Sequence, residues 1–311
     1  MNLYLAPMEG ITTRIYRDVF GKYYKGLAKC FTPFLSPNQN ESFQKKELFE
    51  IENREEQTIL TVPQILCCNI EHFLWAAVEV AKLGYKEVNF NLGCPSGTVV
   101  TKKKGSGFLL YPDELEAFFE IVFPEVKKLG LGFSIKTRLG KNEPDEFKRI
   151  LDIYNKFDFT EIIIHPRVQK DFYKGEVRLE WFDYAIANSK NKVVYNGDLF
   201  MKEDLENFEK KYPDIDTVML GRGLIGRPFL TEEDGVLPKD LNKLRAFHNE
   251  LANSYKNRYD EHATLSKMKE IWDYMGKMLF VDESGYKRIK KAKSLEEYLF
   301  AAETVFCNMN I

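Results

Sequence analysis

Residues able to do chemistry recur in this chain just after short apolar runs. The stretch VNFNLGCPSGTVVTKKKGSGFLL, residues 88–110, shows this best: a strand-like run ends in a cysteine between glycine and proline, then opens onto three lysines. A structural cysteine usually lies inside an apolar run. Cys94 follows one, where a strand end offers its thiol to whatever lies above. The first run leads into Pro7, Met8, Glu9 and Gly10, the third ends at Gln64, and the fourth carries Asn91 ahead of Cys94. Lys136 and Arg138 close the fifth, His165 and Arg167 the sixth, Asn196, Gly197 and Asp198 the seventh, and Gly221, Arg222 and Gly223 the eighth. Taken singly, Gln64 or Asn196 could cap a turn and Lys136 could sit in a salt bridge. Amides, cations, glycines and a thiol at one run end after another point instead to one shared site.

The elements that would position these residues follow from periodicity. Eight β-branched or apolar runs, at 3–6, 27–31, 59–64, 87–91, 133–137, 161–165, 193–196 and 217–220, read as strands. Between them lie amphipathic segments such as EHFLWAAVEVAKLG and PDELEAFFEIVFPEVKKLG, with apolar residues at three- and four-residue steps. Strand and helix in alternation predict parallel pairing, and eight such units predict an α/β fold of the (β/α)8 TIM-barrel type, whose sites lie at the C-terminal ends of the strands. A doubly wound sheet competes, but the phosphate-binding glycine pattern it often carries after its first strand is missing. Beyond Pro238 strand signals stop and helical periodicity continues, so residues 1–238 are expected to form the barrel and 239–311 a small all-helical domain. In a barrel, NGD and GRG would bring backbone N–H groups to the corner where many barrels hold phosphate, with the Arg222 fork beside them. Asn and Lys side chains near the axis suit the carbonyls and ring nitrogens of a flat heterocycle, and Lys136 could stabilise a negative charge on it. FMN is the economical cofactor.

Composition narrows the class. The chain has 311 residues, 44% hydrophobic and 30% charged, with no apolar run near the roughly 20 residues a membrane span needs. The opening MNLYLAPMEG has no signal-peptide character. Five cysteines without metal-type spacing argue against a disulfide framework and against a zinc or iron–sulfur site, and suggest a reducing cytoplasm. Net charge is −2, unevenly spread: residues 239–311 carry 13 Lys and Arg against 11 Asp and Glu, and the remainder 32 against 36. YKRIKKAK concentrates five basic residues, among them Arg288, Lys290 and Lys291, which serve either as a solvated helix face or as an RNA contact.

Six blocks, APMEGIT, NLGCPS with KGSGFLL, SIKTRLG, IIIHPR, VVYNGDLF and VMLGRGLIGRPF, occur in the order in which they stand in the tRNA-dihydrouridine synthases, and the chain resembles that family over about residues 3–230. The helical tail is similar to the family's tRNA-binding domain. Val168 departs from the threonine common after the arginine, and Thr32-Pro33 from an acidic residue after strand two. The resemblance implies reduction of the C5=C6 bond of a D-loop uridine in tRNA, with NADPH recharging FMN. The length and the APMEG opening resemble the branch acting at tRNA position 16. By similarity Pro7, Met8 and Glu9 line the flavin, Gln64 and Lys136 meet its ring, and His165, Asn196, Gly197, Asp198, Gly221 and Arg222 hold the ribityl chain and phosphate. Asn91 and Arg167 would contact the uracil, and Cys94 would be the proton donor; Lys102, Lys103 and Lys104 on the following loop either meet RNA phosphate or form a solvated loop. A thiol with a pKa of about 8.5 is mostly protonated at neutral pH and can supply a proton at C5. The target base would be extruded into the barrel mouth, with the basic tail gripping phosphates. A monomer is expected. The alternatives are another FMN barrel of the dihydroorotate dehydrogenase or ene-reductase type, which needs no basic tail, and a catalytically silent tRNA-binding protein.

Overall fold

The computed structural model describes residues 1–52, 58–232, 235, 241–279 and 283–309. The boundary expected at Pro238 lies outside them. Nine strands are present among the described residues: β1 (Asn2–Leu5), β2 (Leu27–Phe31), β3 (Thr61–Val62), β4 (Gln64–Ile65), β5 (Glu87–Leu92), β6 (Gly132–Gly140), β7 (Ile162–Val168), β8 (Val193–Asn196) and β9 (Thr217–Leu220). All pair in parallel in the order β3-β2-β1-β9-β8-β7-β6-β5-β4. The eight-run reading and the nine strands differ in number only at Pro63, although the fifth and sixth runs extend further than expected, to Gly140 and Val168. Proline has no N–H to give the ladder, so the expected third strand is split into β3, which pairs with β2, and β4, which pairs with β5. The split run closes the TIM barrel. Pro63 O accepts from Asn89 N at 2.9 Å, and Thr32 Oγ1 accepts from Gln64 N at 3.0 Å.

Period-2 alternation decides what faces the axis. Along β5, Phe90 turns outward and stacks on Phe118 of the helix Pro112–Lys128 at 5.0 Å, while Asn89 and Asn91 turn inward. Tyr4, Ala6, Phe31, Val62, Ile163, Val194 and Met219 form the apolar part of the interior. The polar residues named above occupy the rest.

Four helices end the described chain: Asn242–Lys256, Glu261–Met278, Glu283–Lys291 and Leu295–Met309. They share one continuous hydrophobic core with the barrel. Phe247 sits among Tyr16, Phe20, Tyr23 and Tyr24 with ring centroids 5.9, 6.1, 6.1 and 5.4 Å away. Among the described residues no helix is long and apolar enough to cross a membrane.

Candidate active site

A cavity of about 710 Å³, within the range of small-molecule sites, lies between the barrel mouth and the helix Glu261–Met278. Pro7, Met8 and Glu9 line it beyond β1, Gln64 on β4, Asn91 on β5 and Cys94 just past it. Lys136, His165 and Asn196 project from β6, β7 and β8, and Gly197, Asp198, Gly221 and Arg222 complete the ring. Gly10 has φ +79°, which lets the chain leave β1 in a tight turn where Ile11 N donates to Met8 O at 3.1 Å.

Lys136 Nζ donates to Asn196 Oδ1 at 2.6 Å, and Asn196 Nδ2 to Met219 O at 2.8 Å. Burial, and then the neighbouring Arg138, lower the lysine from 10.5 to about 7. His165 is pushed well below the ordinary imidazole value by burial and by the charges of Arg138, Lys136, Arg167 and Arg222. Its Nε2 lies 3.0 Å from Arg167 Nη1. Arginine only donates, so Nε2 accepts and the proton of this neutral ring sits on Nδ1.

On the other side of Arg167, Asp198 takes two guanidiniums: Arg222 Nη2 at 2.5 Å, and Arg167 Nη2 and Nη1 at 2.6 and 3.1 Å. Two cations on one carboxylate leave the corner positive. A Cβ on Gly223 would collide with the carbonyl of Leu199, so glycine there lets the loops after β8 and β9 close on each other. Arg167 lies behind the cavity wall, fully buried, with its Nη2 also donating to Gly175 O and its Nε unpartnered.

Cys94 is half-buried. Asn91 Oδ1 accepts from Gly93 N at 3.0 Å and Cys94 N at 2.9 Å. Ser106 N and Oγ donate to Cys94 O at 3.2 and 2.7 Å. The GSG of the following block is therefore a brace for the cysteine turn. Burial raises the thiol above its ordinary value, against the weaker pulls of Ser96 N–H, Arg138 and Lys136.

Arg138 enters the sequence reading only as a run-end cation without a role, and the other lining residues below escape that reading of the site. Arg138, one pleat beyond Lys136 on the same inward face, donates to Gly93 O at 2.9 Å, Val168 O at 3.0 Å and Phe172 O at 2.6 Å. Its place on that face was the signal available. Tyr173 is 55% exposed, stacks on His165 at 6.1 Å and lies 5.4 Å from both Arg138 and Arg222; nothing in its loop announces it. Glu270, Asp273, Tyr274, Lys277 and Met278 reach the cavity from the helix Glu261–Met278.

The candidate RNA contacts lie outside the cavity lining. Lys102 is exposed, Lys103 pairs with Glu114 at 3.0 Å, and Lys104 donates to Ser36 Oγ at 3.1 Å. On the helix Glu283–Lys291, Arg288 and Lys291 are exposed, whereas Lys290 pairs with Asp273 of the cavity wall at 2.7 Å. No group of His, Cys, Asp and Glu suited to a metal occurs among the described residues.

Comparison with known proteins gives concordant matches. The dihydrouridine synthase (Dus) family matches residues 4–306. A probable tRNA-dihydrouridine synthase of Staphylococcus aureus strain COL is 32% identical over 283 residues, covering 86% of this chain and 83% of that protein. The tRNA-dihydrouridine synthase B of Pasteurella multocida is 27% identical over 253 residues, covering 81% and 74%.

Proposed function

The chain belongs to the dihydrouridine synthase family, and from that premise we propose that it reduces the C5=C6 bond of a D-loop uridine in tRNA, with FMN as cofactor, NADPH as reductant and Cys94 as proton donor. The observation that carries the reading is the convergence of the Cys94 thiol, the Lys136 amine and an arginine-lined glycine corner on one cavity.

The residues present fit FMN. Gly197, Gly221 and Arg222 suit the phosphate, with Asp198 orienting the guanidinium. Pro7, Met8 and Glu9 form the wall beyond β1, His165 and Asn196 suit the ribityl hydroxyls, and Gln64 and Lys136 suit the ring. When bound, FMN supplies hydride to uracil C6. The negative charge that would then develop over C5 and the C4 oxygen is one that Lys136 and Arg138, whose charges act on the Cys94 thiol, would stabilise. Cys94 gives its proton to C5, and burial keeps that proton in place near neutral pH. His165 is a poorer donor, because its surroundings hold it neutral. Asn91 and Arg167 are carried as uracil-side residues, the second acting from behind the wall. Arg288, Lys290 and Lys291, with Lys102, Lys103 and Lys104, are the proposed phosphate contacts. A cytoplasmic monomer of two domains, the barrel and the helical tail, accords with this reading.

Anaerobic stopped-flow tests it. Cys94→Ala should retain FMN and the NADPH half-reaction, yet reoxidise with unmodified tRNA about 100- to 10,000-fold more slowly, the usual cost of losing a general acid. Reoxidation at the wild-type rate would exclude Cys94 as the donor.

A further inference from the structure

A file of hydrogen-bonded side chains crosses the barrel interior and ends at the turn that carries Cys94. At its deep end Lys29 Nζ forms an ion pair with Glu87 Oε2 at 2.7 Å, and a carboxylate in an ion pair can only accept. Ser134 Oγ therefore donates its single proton to Glu87 Oε1, at 2.7 Å. The same oxygen must then accept from Asn89 Nδ2, at 2.9 Å. Asn89 is thereby obliged to turn Oδ1 toward Gln64, whose Nε2 donates at 2.7 Å. Gln64 in turn presents Oε1 to Asn91 Nδ2, also at 2.7 Å. Asn91 is left with Oδ1 facing the N–H groups of Gly93 and Cys94.

The two ends of a carboxamide have nearly the same shape, so packing alone does not choose between them. Gln64, Asn89 and Ser134 are fully buried, so bulk water does not relax the choice either. Reversing the file would set the NH2 of Asn91 against two backbone N–H groups, donor against donor.

We propose that Glu87, Ser134 and Asn89 are positioning residues: the Glu87 carboxylate sets the direction of the file, and with it the amide orientation of Gln64 and Asn91 and the seat of Cys94. The catalytic consequence rests on the function proposed above; the geometric part does not.

Hydrogen exchange of the full-length, cofactor-loaded protein, read by mass spectrometry on the peptide holding Gly93 and Cys94, tests the geometry. Ser134→Ala cuts the file, and Glu87→Gln lets its deep end donate. Both should speed exchange in that peptide about 2- to 10-fold, the worth of one weakened hydrogen bond. Ser134→Thr, which keeps the hydroxyl, should restore it. Tyr4→Phe is the control: Tyr4 OH donates to Glu161 Oε2 at 3.0 Å in the same interior, but on the far side of Lys29, and should leave the peptide unchanged. In Ser134→Ala the uridine half-reaction should slow more than flavin reduction by NADPH. Exchange unaltered in both Ser134→Ala and Glu87→Gln, or raised equally by Tyr4→Phe, would overturn the proposal. Faster exchange in a protein whose wild type never reduces uridine would refute the proposed function and leave this inference standing.

Discussion

Replacing Lys136 by methionine removes a cation that folding stabilises poorly. Moving a lysine from 10.5 to about 7 corresponds to about 5 kcal/mol at 1.36 kcal/mol per pH unit. The side chain borders a cavity open to water and is only half-buried, so solvent screening reduces this to about 2–3 kcal/mol. Asn196 Oδ1 loses its donor in the variant, at a cost of about 1 kcal/mol. Below pH 7 the lysine is protonated in both states and the full penalty stands. Between about 7 and 10.5 the unfolded chain binds more protons than the folded one, so wild-type stability rises with pH. Lys136→Met should therefore be about 1–2 kcal/mol more stable than wild type at pH 6, and about equal to it near pH 10, where the remaining penalty and the lost hydrogen bond nearly cancel. Urea denaturation of the cofactor-free proteins at both pH values is the assay. A difference between the two proteins that does not change with pH would refute the assigned cause.

His248, buried in the helical tail, accepts at Nε2 from Trp272 Nε1 at 3.1 Å, with Tyr298 OH at 2.6 Å from the same nitrogen. Burial lowers it from 6.5 to about 4, so its neutral form contributes fully above pH 6.5 and the contribution falls by about 3 kcal/mol as pH drops through 4. His248→Gln should flatten that part of the stability profile in denaturation series between pH 7 and 4, and an unchanged slope would clear His248 of the effect. On the basic helix, Arg288→Glu with Lys291→Glu should weaken tRNA binding and lower the slope of log affinity against log salt by about one per lost phosphate contact. An unaltered slope in filter binding would mark this face as merely solvated.

Much of the site was legible because barrel geometry gathers strand ends, which are local features of the sequence. Cys94, Lys136, Asn196 and Arg222 could be read as convergent from that rule alone, and the structure lines one cavity with all of them. The break at Pro63 was written in the sequence too, since proline cannot serve a central strand, but its use as the closure of the barrel depends on β2 and β5 lying on either side. What could not be read was partnership at long range. Nothing local tells Asn89 to seek Ser134, Asp273 to seek Lys290, or the helix Glu261–Met278 to roof a cavity built 40 or more residues earlier. Arg167 shows the same limit from the other side: the sequence places it at a strand end, and only packing tells that Asp198 and Gly175 draw it behind the wall.

The placement of β1 bears on how this chain is made. β1 lies between β2 and β9, with Asn2 opposite Thr217 and Leu5 opposite Leu220, while the aromatic face of the helix Arg14–Tyr23 awaits Phe247. At about 5–20 residues per second, the N-terminal strand and helix leave the ribosome some tens of seconds before either partner exists. Until then one edge of β1 and a cluster of aromatic rings stay exposed, in a fold rich in slow, non-local strand pairing. β1 and this helix, made well before β9 and Phe247, are thus among the last parts of the barrel to be buried.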